Sequence, residues 1–187
     1  MVRNSEQMFE KVNLSPLAIS VLTFLSRSPD KQFYVREIAG IIKGSVGGTH
    51  KVLKNLFDMD LIVKEKSGRN LYYKINDSNQ AIKHFKIFMN ILELDNTIKE
   101  IIPECKKIIL YGSCSTGEDT MHSDIDLLII TEDPLEIKQL LKQKYFGIRK
   151  LKPIILLPHE YIKLKNKDQA FYSEVNKGIL LWRDTNE

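Results

Sequence analysis

Between Gly112 and Asp126 the chain gathers residue types that could hold a phosphate and a metal ion. Asp124 and Asp126 stand two apart in Ser123-Asp124-Ile125-Asp126-Leu127-Leu128-Ile129-Ile130, an apolar run that reads as a strand. Alternate strand residues share a face, so both carboxylates project to one side and Ile125 and Leu127 to the other. Carboxylates so placed repel, and each raises the other's pKa unless a cation sits between them. Mg²⁺ suits that position, because it takes hard oxygen ligands, commonly one or two carboxylates plus substrate phosphates. Upstream, Gly112-Ser113 follows a second buried-looking strand, Ile108–Tyr111, and opens a short polar segment containing Gly117. A Gly-Ser turn entering a helix offers backbone N–H groups and a hydroxyl to an anion.

A Gly-Ser after a strand is usually only a turn, and an acidic strand end is usually only solvated. The combination is more specific. Gly112, Ser113, Gly117, Ser123, Asp124, Asp126 and Leu127 resemble, spacing by spacing, the signature of the DNA polymerase β-like nucleotidyltransferase superfamily. That signature is a hydrophobic strand, Gly-Ser, a glycine four residues on, then Ser-Asp-x-Asp-Leu. The resemblance is closest to the minimal nucleotidyltransferases of bacteria and archaea.

It implies that Gly112, Ser113 and Ser123 bind an NTP. It also implies that Asp124 and Asp126 are catalytic, binding Mg²⁺ and orienting the α-phosphate for in-line attack. The family's third carboxylate usually lies on the next long strand. Placing that strand on Lys152–Leu157 makes Ile154 the equivalent position, which is apolar. Thr116 stands where a basic residue is common. His159 or Glu160 could substitute only if the following loop folded back.

Two functions follow. One is a Mg²⁺-dependent enzyme adding a nucleoside monophosphate to a protein, nucleic acid or small molecule; antitoxin-type members of the family it resembles modify a partner toxin, which adds a toxin partner to the acceptors the resemblance implies. The other is a DNA-binding regulator whose nucleotidyltransferase domain senses nucleotide or makes protein contacts.

The elements that must position these residues occupy the second part of a 187-residue chain, long enough for two small domains. Apolar residues make up 43%, ample for a core. No apolar run approaches the ~20 residues that cross a bilayer, so no membrane partner is expected. The first sixteen residues hold no apolar stretch of the signal-peptide kind. Cys105 and Cys114 form no disulfide framework, which predicts a reduced, cytoplasmic setting. Charge is uneven: residues 1–80 carry 12 Lys and Arg against 8 Asp and Glu, and residues 81–187 carry 16 of each. The positive half predicts an anionic partner.

In that half, Ser15-Pro16 starts a helix to about Ser26, with Leu17, Val21, Leu22, Phe24 and Leu25 inward. A second helix covers about Val35 to Ile42. A third, from Gly44-Ser45 to about Met59, turns Thr49, Val52, Leu53 and Leu56 inward and Gly47, His50, Lys51, Lys54 and Asn55 outward. Two alternating runs around Lys66-Ser67-Gly68-Arg69-Asn70 read as a hairpin.

Three helices and a hairpin resemble a winged helix-turn-helix domain of transcriptional-regulator type. That resemblance implies double-stranded DNA binding by residues 1–79: Gly47, His50, Lys51 and Lys54 on the recognition helix, Lys66 and Arg69 at the wing, and glycine amides at the helix start near a phosphate.

Residues 80–187 read as a linker helix and an α/β domain with a mixed sheet, so the chain as a whole is α+β. The linker helix, about Ala81 to Ile102, carries Ile82, Phe85, Met89 and Leu92 plus more aliphatics than one stripe needs. It packs either on both domains or against a second subunit in a homodimer. A lysine-rich, solvated helix from Pro134 to about Tyr145, a buried strand at Pro153–Leu157, two helices and a last strand at Gly178–Trp182 complete the reading.

Overall fold

The computed structural model describes residues 14–184; most of the segment read as lacking a signal peptide lies outside that range. The chain divides into two compact units, one ending at Lys83 and the next beginning at His84.

In the first unit, α1 (Pro16–Ser26) starts where the Ser15 hydroxyl accepts a hydrogen bond from the Ala18 N–H. Val21, Leu22 and Leu25 are buried as their spacing predicts, joined by Ala18 and Ser26, while Leu17 and Phe24 are half-buried. Phe24 leans on Phe33, ring centroids 4.8 Å apart. Then come β1 (Phe33–Tyr34), α2 (Val35–Ile41) and α3 (Val46–Asp58). Helix α3 buries Thr49, Val52, Leu53 and Leu56, the four residues its periodicity turns inward. The hairpin joins β2 (Ile62–Ser67) to β3 (Asn70–Ile75) through Gly68-Arg69. Gly68, at φ +61°, supplies the positive dihedral that a two-residue turn requires. Strand β1 has no counterpart in the sequence reading, because two residues cannot display an alternation. It pairs with β3, giving an antiparallel sheet ordered β1-β3-β2.

Helix α4 (Gln80–Ile101) runs 22 residues and ends in a 3₁₀ turn at Ile102–Glu104, where Pro103 was expected to stop it. Its buried stripe differs from the expected one. Ile82, Lys86, Asn90, Leu94 and Ile98, each four residues apart, are buried, whereas Leu92 is 52% exposed. Phe85 and Met89 are half-buried. The stripe is rotated because two polar side chains find buried partners, described below.

The second unit is built on β4 (Lys107–Tyr111), β5 (Ile125–Ile130), β6 (Leu151–Leu156) and β7 (Ile179–Arg183), ordered β6-β5-β4-β7. Strand β4 is antiparallel to β5 and β7, and β5 is parallel to β6, so the sheet is mixed as expected. The short α5 (Ser113–Thr116) follows β4, α6 (Pro134–Lys142) makes the crossover from β5 to β6, and α7 (Pro158–Lys167) and α8 (Gln169–Asn176) lead to β7.

One face of the sheet packs Ile108, Leu110, Ile125, Leu127 and Ile129 against Leu94, Ile98, Ile101, Ile137 and Leu141. The other packs Ile109, Tyr111 and Leu128 against Val175 and Phe171. Burial on both faces is why β5 is apolar almost without break. Strand β6 is a correction. It is an edge strand whose residues alternate between half-buried and exposed, and Ile154 is 37% exposed. Pro153 is tolerated there because an edge position need not donate a ladder hydrogen bond.

Candidate active site

Gly112 takes φ +66° and ψ −157°, a region essentially confined to glycine, and caps α5. A Cβ at this position would lie 2.7 Å from Asp126 Oδ2, closer than real Cβ contacts come. The Gly112-Ser113 turn therefore presses directly on the second carboxylate. Tyr111 is the register partner of Asp126. Asp124 stands one residue before β5, just outside the strand expected to contain it.

The neighbouring strand supplies the correction of most consequence. The parallel register sets Lys152 beside Asp126, and Ile154 beside Leu128, a full pleat repeat away. Lys152 Nζ lies 2.6 Å from Asp124 Oδ2. A cation, not an apolar side chain, thus flanks the carboxylates on β6. Glu160 is no substitute acid: its Oε2 accepts the Leu157 N–H at 2.9 Å, capping α7 beyond the far end of β6.

Burial raises the Asp126 carboxyl above its usual range, Lys152 opposes this, and the charges of Asp124 and Glu174 add to it. The hydrogen bond to Asp124 raises Lys152. Burial, then the Asp126 and Glu174 charges, push Tyr111 up to about 12. Glu174 belongs to α8, between Phe171, whose ring meets Tyr111 edge-on at 5.6 Å, and the buried Val175. No local pattern marks it as part of a site; only the packing of α8 on β4 brings it there.

A buried polar cluster fixes the loop between the turn and the carboxylates. The Arg149 guanidinium donates to the Ser123 carbonyl at 3.3 Å, Asn90 Oδ1 at 2.9 Å, Glu93 Oε2 at 3.0 Å and Cys114 Sγ at 2.6 Å. Asn90 Nδ2 donates to Asp119 Oδ1 and to the Cys114 carbonyl, both at 3.0 Å. The Cys114 thiol donates to the Asp124 carbonyl at 3.3 Å. Lys86 Nζ lies 3.9 Å from Asp119 Oδ1. Ser123, read as nucleotide-binding, accepts the Thr120 N–H on its hydroxyl at 2.8 Å. None of Lys86, Asn90, Asp119 or Arg149 was singled out from sequence. The four-residue steps from Ile82 to Ile98 were the available signal, once Lys86 and Asn90 are allowed to face inward.

Among the described residues no group of three or more His, Cys, Asp and Glu is placed to hold a metal. Asp124 and Asp126 fit an ion that keeps part of its shell for phosphate oxygens and water, as Mg²⁺ does.

Residues 91–175 match the model of the nucleotidyltransferase domain family. No curated protein matches the chain. A solved structure, "Crystal structure of a putative nucleotidyltransferase from Sulfolobus solfataricus", is 16% identical over 59% of this chain and 96% of that one, with a TM-score of 0.40. The matched segment contains Gly112, Ser113, Ser123, Asp124, Asp126 and Lys152. Among the described residues no helix is long and apolar enough to cross a membrane.

In the first unit, Gly47, His50, Lys51 and Lys54 are exposed on α3. A groove of about 780 Å³ brings Gly47 and His50 together with Arg36, Tyr34, Val46 and Arg69. Lys51 instead borders a separate cleft with Ser15, Leu17 and Asn55. Lys66 is on β2, opposite Leu71. Gly48 offers no amide to a phosphate, since its N–H is donated to the Ser45 hydroxyl at 3.1 Å. Its missing side chain matters for packing: a Cβ would sit 3.2 Å from Leu17 Cδ2. Arg36 and Tyr34 were not foreseen.

Proposed function

We propose that the second unit binds an NTP with Mg²⁺ and transfers its nucleoside monophosphate slowly, and that the first is a winged helix that binds double-stranded DNA. The observation that carries the nucleotide reading is the close approach of Gly112 to Asp126, which leaves no room for a side chain between an anion-binding turn and a metal-binding carboxylate. Gly112 and Ser113 would take the phosphates, and Asp124 and Asp126 the metal. A bound Mg²⁺ would neutralise charge developing on the transferred phosphoryl group.

A transfer rate well below that of a full carboxylate triad follows from Lys152. It is an ammonium at the position beside Asp126, so this strand offers no base for the attacking hydroxyl. Loss of general-base assistance is typically worth ~10²–10⁴-fold. The same observation favours a second reading, a DNA-binding regulator whose nucleotidyltransferase domain senses NTP and transfers nothing.

Calorimetry with each NTP and Mg²⁺ tests the common part. Wild type is expected to bind, and Asp124→Asn combined with Asp126→Asn to lose the metal dependence with the fold intact. Equal affinities would refute the site. Incubation with labelled NTP and lysate then separates the readings, since only the enzyme labels an acceptor. A protein acceptor, such as a toxin partner, would appear as a labelled band.

A further inference from the structure

Lys152 is not a surface lysine that happens to lie near an acid. Its Cα is fixed beside Asp126 by the parallel register, and its ammonium contacts Asp124 Oδ2 at 2.6 Å. One ammonium thus pairs with Asp124 and sits within charge range of Asp126, the two carboxylates that a divalent ion would have to share. Asp126 is half-buried and carries the added charges of Asp124 and Glu174, so the cluster would hold a net excess of negative charge without this cation. The lysine side chain is still 61% exposed. Four flexible carbons carry its charge, so it can leave Asp124 without leaving the site.

We infer that Lys152 is a resident counter-ion of the carboxylate pair: it keeps free divalent metal weakly bound, and it moves to a phosphate oxygen when nucleotide arrives. The inference rests on the nucleotide reading above and concerns how that site is loaded. An ammonium on Asp124 blocks one of two protein ligands and repels a dication in the same place. Free metal must therefore displace it, at a cost in affinity of roughly five- to twentyfold for charges a few ångströms apart near a surface. Nucleotide changes the balance, because its phosphates bring both oxygen ligands for the metal and a new partner for the lysine. The site would then fill with metal and nucleotide together, not with metal first.

The test uses Mn²⁺ as the probe, titrated into nucleotide-free full-length protein and followed by electron paramagnetic resonance. Lys152→Met is expected to bind Mn²⁺ roughly five- to twentyfold more tightly than wild type, and Lys152→Arg to stay near wild type. In calorimetry with Mg²⁺ present, Lys152→Met is expected to bind NTP about tenfold more weakly, the loss of one charge-assisted hydrogen bond. Unchanged or weaker Mn²⁺ binding in Lys152→Met overturns the counter-ion role. Unchanged NTP affinity overturns the transfer of the ammonium to phosphate. A wild type that binds no NTP at all would sink the nucleotide reading and, with it, the transfer to phosphate, while the Mn²⁺ comparison would still decide the counter-ion role.

Discussion

Arg149 and Asp119 form an ion pair with 3.6 Å between Nη2 and Oδ2, and their side chains are 3% and 0% exposed. Neither residue touches substrate in the proposed site. Arg149 nevertheless reaches the Ser123 carbonyl and the Cys114 sulfur, which lie on the two flanks of the loop joining Ser113 to Asp124. The pair therefore holds the Gly112-Ser113 turn and the carboxylates in one frame.

Arg149→Ala should cost about 3–5 kcal/mol, the usual penalty for stranding one charge of a buried pair. Arg149→Lys should recover only part of this, because an ammonium lacks the fork that serves Ser123, Asn90, Glu93 and Cys114 together. Urea denaturation of the two variants measures both. Losses under 1 kcal/mol for the alanine variant would show that the cluster does not frame the loop.

Gly112→Ala places a side chain where the backbone dihedrals disfavour one and where Asp126 already sits. About 1–3 kcal/mol of stability should be lost, and Mg²⁺-dependent NTP binding should fall below detection as Asp126 is displaced. Thermal unfolding and calorimetry, run side by side, give the two readouts. Gly47→Ala, at an open helical position, is the control: stability should rise by up to about 1 kcal/mol while NTP binding stays unchanged.

Cys105 is 5% exposed, and burial, aided by the charge of Glu104, pushes its thiol up from 9.0 to about 12. Its folded-state pKa lies above the unfolded one, so the folded state holds the proton more tightly. Stability from this group is intact below pH 9 and is lost as pH rises from there toward 12. Melting temperatures measured from pH 8 to 10.5 should fall less steeply in Cys105→Ala than in wild type. Alkylation of native protein near pH 8 should also be slow at this thiol. Parallel melting curves would contradict the burial of Cys105.

For the first unit, Lys51→Ala with Lys54→Ala should weaken binding of full-length protein to double-stranded DNA. The slope of log affinity against log salt should drop by about 0.9 for each phosphate contact removed. His50→Ala or Arg69→Ala, in the groove that also holds Gly47 and Arg36, should weaken binding too. Filter binding at several salt concentrations measures all four positions. Salt slopes identical to wild type would place the DNA contact elsewhere.

Much of this architecture was legible because it is local. Ser15-Pro16 starts a helix, Gly68 makes a hairpin turn, and Thr49, Val52, Leu53 and Leu56 face one way, for reasons contained in a few neighbouring residues. The Gly112–Asp126 spacing was legible for the same reason. Lys152 was not, because which residue stands beside Asp126 depends on a strand register set over 25 residues of intervening chain. A shift of two positions separates Lys152 from Ile154 and reverses the chemistry of the flank. Lys86 and Asn90 were hidden by a different cause: polar side chains read as solvated until the partners that satisfy them, Asp119 and Cys114, are known to be near. Glu174 depends on packing between α8 and β4 that no short-range pattern encodes.

The position of β6 at the margin of its sheet has a bearing on the company the protein keeps. A free strand margin is a template on which another chain can extend a sheet, and long apolar margins are where proteins aggregate. Here Pro153 withholds an N–H from any newcomer, and the exposed charges of Lys150 and Lys152 repel a second copy of the same margin. Replacing Lys152 with an apolar residue would thus alter solubility as well as metal affinity, and Lys152→Arg would alter neither. On the counter-ion role proposed for it, one lysine would answer for both the loading of a site and the colloidal behaviour of the molecule.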